Sequence, residues 1–485
     1  MKAWQQRWRG GALSVLVALM LIPLGSVEAE ESATSAQVWS LQEVVDQARA
    51  NPPLEREQQA HEDYARARQS RAERARWPRL RAESQLAPVP ANADPSRLDE
   101  NIDEITGLNF GPYFRQTARI TQPLYTFGRV SLNQQLAQVG VDVAILENQQ
   151  EMQRHLSRAQ RAYFGRQLAT AFEEILEEGR ELVKDTLEEM EEERAFGTAE
   201  FDTEDLRRVQ IFDAELDAMV LENRRLKDLT GSALAYLMDT DESVEVAALR
   251  PGDADKPLGT LEDYRQAARV HRPEVQMLGK GVEARELEAR LERREYLPNL
   301  YAAMEFGFGW STEEPALQPI CRQPDPEGDC VFDDTLFARP YSNPFDTLSL
   351  GVVVGLRWDL DFGQDRGRER QAFAELDKME AQRERAMGAM MLEIEEAWRE
   401  ASDAEERIQI ERRRYDAARR WRNQRGLQAD FGHQEDMEEL IDPLTSYYEA
   451  RIQYLEAAHA YLVARIDLAN AVGLDDLEQL ELALD

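Results

Sequence analysis

The chain has 485 residues, with 58 Lys and Arg against 93 Asp and Glu, a formal charge of −35. A charge of that sign excludes a nucleic-acid groove, which needs a basic footprint, and 42% hydrophobic residues with 16 Phe, 14 Tyr and 8 Trp exclude a wholly disordered acidic tail. With 31% charged residues and a mean hydropathy of −0.60, the composition fits long helices with much solvated surface better than a string of compact domains.

In chain order, residues 1–29 read as a secretory signal peptide. Lys2, Arg7 and Arg9 supply positive charge, Gly11 to Leu24 form an apolar run, and Val27-Glu28-Ala29 ends in a small residue, so cleavage is expected after Ala29. An uncleaved anchor helix is the alternative, but it needs about 20 apolar residues and this run is shorter. No cysteine follows the cleavage site, which argues against a lipid anchor.

The remaining chain is duplicated. Ser40-Leu41-Gln42-Glu43, Ala48-Arg49 and Pro53 recur as Thr260-Leu261-Glu262-Asp263, Ala268-Arg269 and Pro273 at a spacing of 220, a register that holds to Pro78 and Leu80 against Pro298 and Leu300. Phe127-Gly128, Ala162-Tyr163 and Phe196-Gly197 then match Phe362-Gly363, Ala397-Trp398 and Phe431-Gly432 at a spacing of 235, so 15 residues are inserted between Leu300 and Phe362. The first repeat spans residues 40–240 and the second residues 260–475, leaving 476–485 as a tail. Each repeat reads as a helix, two extended segments and a long helical hairpin.

The long helices carry coiled-coil seams: Leu132, Leu136, Val139, Val143 and Leu146; Met387, Met391, Ile394, Trp398 and Ala401; and Ile452, Leu455, His459, Leu462, Ile466 and Ala469. Arg129 to Ala195 contains no proline and reaches about 100 Å at the helical rise. Phe196-Gly197 and Phe431-Gly432 provide glycine where such helices should reverse.

Strands are expected at about 79–87, 114–122, 299–310 and 347–360. In the last, Leu348, Leu350, Val352, Val354, Leu356, Trp358 and Leu360 alternate with Thr347, Ser349, Gly351, Gly355, Arg357 and Asp359. In the third, Phe306, Phe308 and Trp310 alternate with Glu305, Gly307 and Gly309. A soluble sandwich strand has the same period. Segments of about 9 to 11 residues with an apolar exterior, a polar lumen and interfacial aromatics, however, are the pattern of membrane barrels. Phe306, Phe308, Trp310, Leu350, Val352, Val354 and Trp358 are therefore assigned to lipid. Four strands cannot close, and lipid tolerates no open sheet edge, so several chains must share one barrel.

This arrangement resembles the TolC-like outer-membrane efflux protein family over about Trp39 to Leu474. The resemblance rests on Leu41 to Pro53, Trp77-Pro78 before a strand, Gln122-Pro123-Leu124-Tyr125-Thr126-Phe127-Gly128-Arg129 closing the first hairpin, Asp361-Phe362-Gly363 closing the second, and the two Phe-Gly reversals. It implies an α+β membrane protein whose long antiparallel coiled-coil helices form a periplasmic α-barrel. Four strands per chain would contribute to a shared 12-stranded outer-membrane β-barrel in a homotrimer. It further implies an exit duct for a tripartite efflux or type I secretion system in a Gram-negative outer membrane. Its partners would be outer-membrane lipid, a periplasmic adaptor (membrane fusion protein) and an inner-membrane pump of the RND or ABC type, with no cofactor and no nucleic acid.

The family's adaptor-docking tips map to Phe196 to Asp205 and Phe431 to Asp436, including Gly197, Thr198, Gly432 and His433. Its acidic entrance constriction maps to Glu439 and Asp442 within Glu438-Glu439-Leu440-Ile441-Asp442-Pro443. One extra residue after Gly432, and Pro443 in place of a small residue, depart from the family pattern, and an ordinary solvated acidic face would read the same way. Cys321 and Cys330 bracket eight Pro-rich, acidic residues in the insertion; in an exported chain they read as one local disulfide or as two free thiols.

An enzyme is disfavoured. His61, His155, His271, His433 and His459 are scattered without metal-ligand spacing or a nucleophile, and Gly279-Lys280-Gly281 and Gly307-Phe308-Gly309 lack the context of a phosphate loop. No catalytic or metal site is assigned. A periplasmic coiled-coil structural or adaptor protein without a pore is the second reading, and it leaves the apolar strand faces unexplained.

Overall fold

A computed structural model describes residues 38–91, 109–196, 203–311, 319–324, 330–337, 347–359, 361, 363–430 and 437–482. Residues 1–29, read as a signal peptide, lie outside the described residues.

Each repeat begins with a capped short helix. Ser40 caps α1 (Leu41–Arg49), and Thr260 caps α5 (Leu261–His271). In both, the hydroxyl accepts the third residue's N–H while that residue's carboxylate accepts the cap N–H. The reading of a single helix here needs correction. Pro52 and Pro273, at the starts of α2 (Pro52–Glu73) and α6 (Pro273–Glu295), lack an N–H and break the path. In the first repeat Asn51 caps the new start, accepting from the Leu54 N–H at 3.0 Å and donating to the Leu237 carbonyl at 3.0 Å.

The strands are β1 (Arg79–Ala91), β2 (Asn109–Tyr125), β3 (Asn299–Ser311), β4 (Pro319–Pro324), β5 (Cys330–Phe337) and β6 (Thr347–Arg357). The four principal strands form one antiparallel sheet in the order β1-β2-β3-β6, so β1 and β6 are its two edges. The first two strands outrun the segments expected from alternation, because Pro88, Pro90 and Pro112 interrupt the pattern without ending the pairing. The last is shorter: it ends at Arg357, leaving Trp358 beyond it. The insertion builds a second, two-stranded sheet from β4 and β5, which period-2 reading did not find.

The long hairpins are α3 (Arg129–Phe196) with α4 (Thr203–Met238), and α7 (Gln364–Asp430) with α8 (Met437–Val472). A short helix, α9 (Leu477–Leu482), occupies the expected tail. The main core lies where α1, α3, α4, α5, α7 and α8 meet; Leu156, Leu234, Ile394, Ala458, Tyr461 and Leu468 are fully buried there. Of the seam residues, Val139, Leu146, Ile394, Ala401, Leu455, Leu462, Ile466 and Ala469 are buried, as packed coiled-coil seams require.

The two hairpins end alike. Asp239 and Gly473, one residue beyond α4 and α8, both take the left-handed conformation, with φ of 50° and 92°. Gly473 could not be exchanged as Asp239 is, because a Cβ there would stand 2.5 Å from the Cα of Arg272. That close approach lets the buried Arg272 donate to the Ala471 carbonyl at 3.0 Å and reach Glu393 at 2.6 Å. Gln153 donates to the Gly473 carbonyl at 2.6 Å, so the joint ties α3, α6, α7 and α8 together.

Candidate channel lining and entrance

Register turns four alternating strands into two chemically different faces. Leu80, Ile120, Met304 and Val352 form one row across the sheet, and Ala82, Ala118, Phe306 and Leu350 the next. Gln116, Phe308 and Leu348 follow, with Leu86, Phe114 and Trp310 beyond. Every even-numbered residue described on these four strands is uncharged. The side chains are nevertheless exposed: Val352 is 73% accessible, Leu348 77%, Leu350 68% and Trp310 49%. A single chain thus presents a broad, uncovered apolar sheet face, far beyond what a soluble surface carries.

Of the residues read as lipid-facing, Phe306, Phe308, Trp310, Leu350, Val352 and Val354 lie on this face. Trp358 is exposed but sits past the end of β6, where its indole N–H donates to the Tyr296 carbonyl at 2.9 Å.

All charged residues of the four strands fall on the opposite face: Arg79, Arg81, Glu83, Arg115, Arg119, Glu305 and Arg357. Arg119 and Glu305 are directly opposed and paired, with Nε 2.9 Å from Oε2. The Arg357 guanidinium sits 5.4 Å from the Tyr301 ring centroid. Sequence reading assigned this face only by alternation; which charges meet across it depends on strand pairing.

At the helical end, the entrance acids divide. Glu438 and Glu439 occupy the first turn of α8, but their side chains lie outside those described. Asp442 is exposed and borders a groove of about 420 Å³ shared with Val183 and Thr186 of α3 and Arg208, Val209 and Phe212 of α4. The next residue, Pro443, is inside α8 and has no N–H for the Glu439 carbonyl. Among the tip residues, Phe196 ends α3, with its side chain outside those described; Gly197, Thr198, Phe431, Gly432 and His433 lie outside the described residues. Cys321 and Cys330 lie on the paired β4 and β5, in register with Phe332 and Pro324 respectively, but their side chains are outside those described, and with them the disulfide reading.

Sequence reading missed a polar cluster joining the two hairpins. Arg451 of α8 contacts Glu178 of α3 at 2.7 Å, about 21 Å along α8 from its start. Burial, with the Glu178 carboxylate beside it, pushes the Tyr448 hydroxyl up to about 12, so it remains a donor. Tyr447 packs on Tyr415 and Tyr448, with ring centroids 5.7 and 5.3 Å apart, and Arg422 caps the Tyr447 ring at 3.9 Å. No single-residue signal marks this group, since glutamates and arginines occur throughout these helices. Elsewhere on α8, burial pushes His459 below its usual range, consistent with a packed neutral imidazole. Among the described residues, no group of three His, Cys, Asp or Glu could hold a metal, and no helix is long and apolar enough to cross a membrane.

Residues 264–474 match the family model described as outer membrane efflux protein. Among curated proteins none matches the chain. Among solved structures the chain is similar to CusC, described with its transmembrane channel formation, at 14% identity and a TM-score of 0.67 over 91% of this chain and 96% of that one. It is also similar to the Campylobacter jejuni CmeC outer membrane channel, at 15% identity and a TM-score of 0.62 over 98% of both chains. The open-state Neisseria gonorrhoeae MtrE outer membrane channel aligns at 16% identity and a TM-score of 0.63, over 90% of this chain and 89% of that one. Residues 264–474 thus match the outer membrane efflux protein family model, and the chain shares its fold over about nine-tenths of its length with solved outer-membrane channels.

Proposed function

We propose that three copies of this chain form an outer-membrane exit duct that passively conducts substrates handed over by a periplasmic adaptor and an inner-membrane pump. The observation that carries this reading is the four-stranded sheet: one face exposed, apolar and uncharged, the other polar, and both edges unpaired among the described residues. In lipid an unpaired edge costs several kcal/mol per unsatisfied group, so the sheet must close. β1 and β6 run antiparallel to one another, as head-to-tail pairing of neighbouring copies requires. Three copies give twelve strands, an even number within the range of outer-membrane barrels.

The helical hairpins continue the duct through the periplasm, and their reversals, around Phe196 to Asp205 and Phe431 to Asp436, are the adaptor-docking tips. Glu439 and Asp442 line the constriction, with Glu438 beside them. The Arg451–Glu178 contact and the Tyr448 hydroxyl latch the second hairpin to the first and hold that entrance narrow. A pump of the RND or ABC type supplies the energy. Purification in detergent tests the reading: a trimer, recovered from outer membranes, heat-modifiable on gels and conductive in planar bilayers, is expected. A freely soluble monomer that forms no conductance would refute it.

A further inference from the structure

The polar sheet face has a charge opposite to that of the whole molecule. Its five arginines, Arg79, Arg81, Arg115, Arg119 and Arg357, outnumber Glu83 and Glu305, in a chain whose formal charge is −35. Register concentrates them. Arg81 of β1 is directly opposite Arg119 of β2, and Arg79 stands two residues away on the same face. Like charges placed directly across a ladder destabilise it. Among the described residues, only Arg119 has a carboxylate partner, Glu305. Arg119 remains 57% exposed at its side chain and Glu305 45%, so the pair is open to solvent. On β3 and β6 the same face carries Gly307, Gly309, Gly351 and Gly355; Gly351 faces open space, whereas Ser349 covers Gly307 and Tyr301 covers Gly355.

We infer that this face is a basic collar that binds multivalent, phosphate-type anions inside the barrel. The inference rests on the trimeric barrel proposed above, because closure repeats the Arg79, Arg81 and Arg119 group three times around one lumen. Twelve strands spaced about 4.8 Å apart and tilted about 40° close at a radius of about 12 Å, so three groups face a common volume. Guanidinium is suited to such ligands: it is always charged and presents planar forked donors to phosphate oxygens. Glu305 tunes the collar by occupying one of the arginines.

Calorimetric titration of the detergent-purified trimer with tripolyphosphate tests this, with hexaamminecobalt(III) as the cationic control. Tripolyphosphate is expected to bind with an affinity that falls as salt rises. Arg81→Gln with Arg119→Gln should weaken it at least tenfold, whereas Glu305→Gln should tighten it severalfold by releasing Arg119. Hexaamminecobalt(III) binding should be unchanged by the arginine substitutions. A heat-modifiable trimer that ignores tripolyphosphate, binds it equally in the double variant, or binds it no more tightly in Glu305→Gln, would overturn the collar and leave the duct standing. A monomeric wild-type protein would overturn the shared barrel, and the collar with it.

Discussion

Replacing Val352 by arginine probes the assignment of the sheet faces directly. Val352 is the central residue of the 11-residue β6, five residues from either end. At about 3.4 Å per residue and a tilt of about 40°, it stands about 13 Å from each rim, the middle of an apolar band about 25 Å tall. Its row contains Leu80, Ile120 and Met304, and it is 73% exposed in a single chain, so the new guanidinium would enter lipid with no counter-charge. Arginine at that depth costs about 2 to 4 kcal/mol per copy, hence about 6 to 12 kcal/mol for three additive copies. At about 1.4 kcal/mol per tenfold, assembly should shift by at least four orders of magnitude. Ser349→Arg, three residues away on the opposite face and across from Gly307, should cost about 1 kcal/mol or less per copy, since lumen substitutions are mild. The two variants are compared by outer-membrane recovery, heat-modifiable migration and urea unfolding in liposomes. Equal assembly of the two, or worse assembly of Ser349→Arg, would refute the assignment of faces.

Three further outcomes are expected. Glu178→Gln removes a half-exposed contact worth about 0.5 to 1 kcal/mol per copy, so three copies should raise the open-to-closed ratio in bilayer recordings about ten- to a hundredfold; an unchanged ratio, with no coupling to Arg451→Gln, would remove the latch. If Glu439 and Asp442 of three copies line the entrance as proposed, six carboxylates about 6 Å apart would repel pairwise by about 3 kcal/mol at an effective dielectric near 20, so cations should carry most of the single-channel current. Glu439→Gln with Asp442→Asn should weaken that preference, and unaltered selectivity would exclude these residues from the constriction. Gly473→Ala should destabilise by about 2 kcal/mol or more, because its Cβ meets the Arg272 backbone at 2.5 Å in a left-handed conformation. Gly128→Ala, at a φ of 88° with nothing within 4 Å, should cost about 1 kcal/mol, so equal denaturant midpoints would refute the packing argument.

Much of this architecture was written in local pattern. The spacings of 220 and 235 residues expose the duplication and the place of its insertion, and the capping residues Ser40 and Thr260 fall at matching points. Alternation along Thr347 to Arg357 separates an apolar face from a more polar one, because side chains of a strand point to opposite sides at every step. Coiled-coil seams are equally local, since 3.5-residue periodicity lies within one helix.

Only the tertiary structure decided what depends on residues far apart in the chain. Pairing carried β1 and β2 beyond the alternating segments, since the ladder continues past the directly opposed Pro88 and Pro112, which have no N–H to donate, where side-chain pattern fails. It also brought Arg81 against Arg119 and Arg119 against Glu305, 186 residues apart, concentrating positive charge that composition conceals. The approach of Gly473 to Arg272 and the contact of Arg451 with Glu178 arise from helix packing, for which charged helical sequence offers no distinctive signal. Periodicity fixes which way a side chain faces, whereas register and packing fix what it meets, and the second is a property of the folded chain.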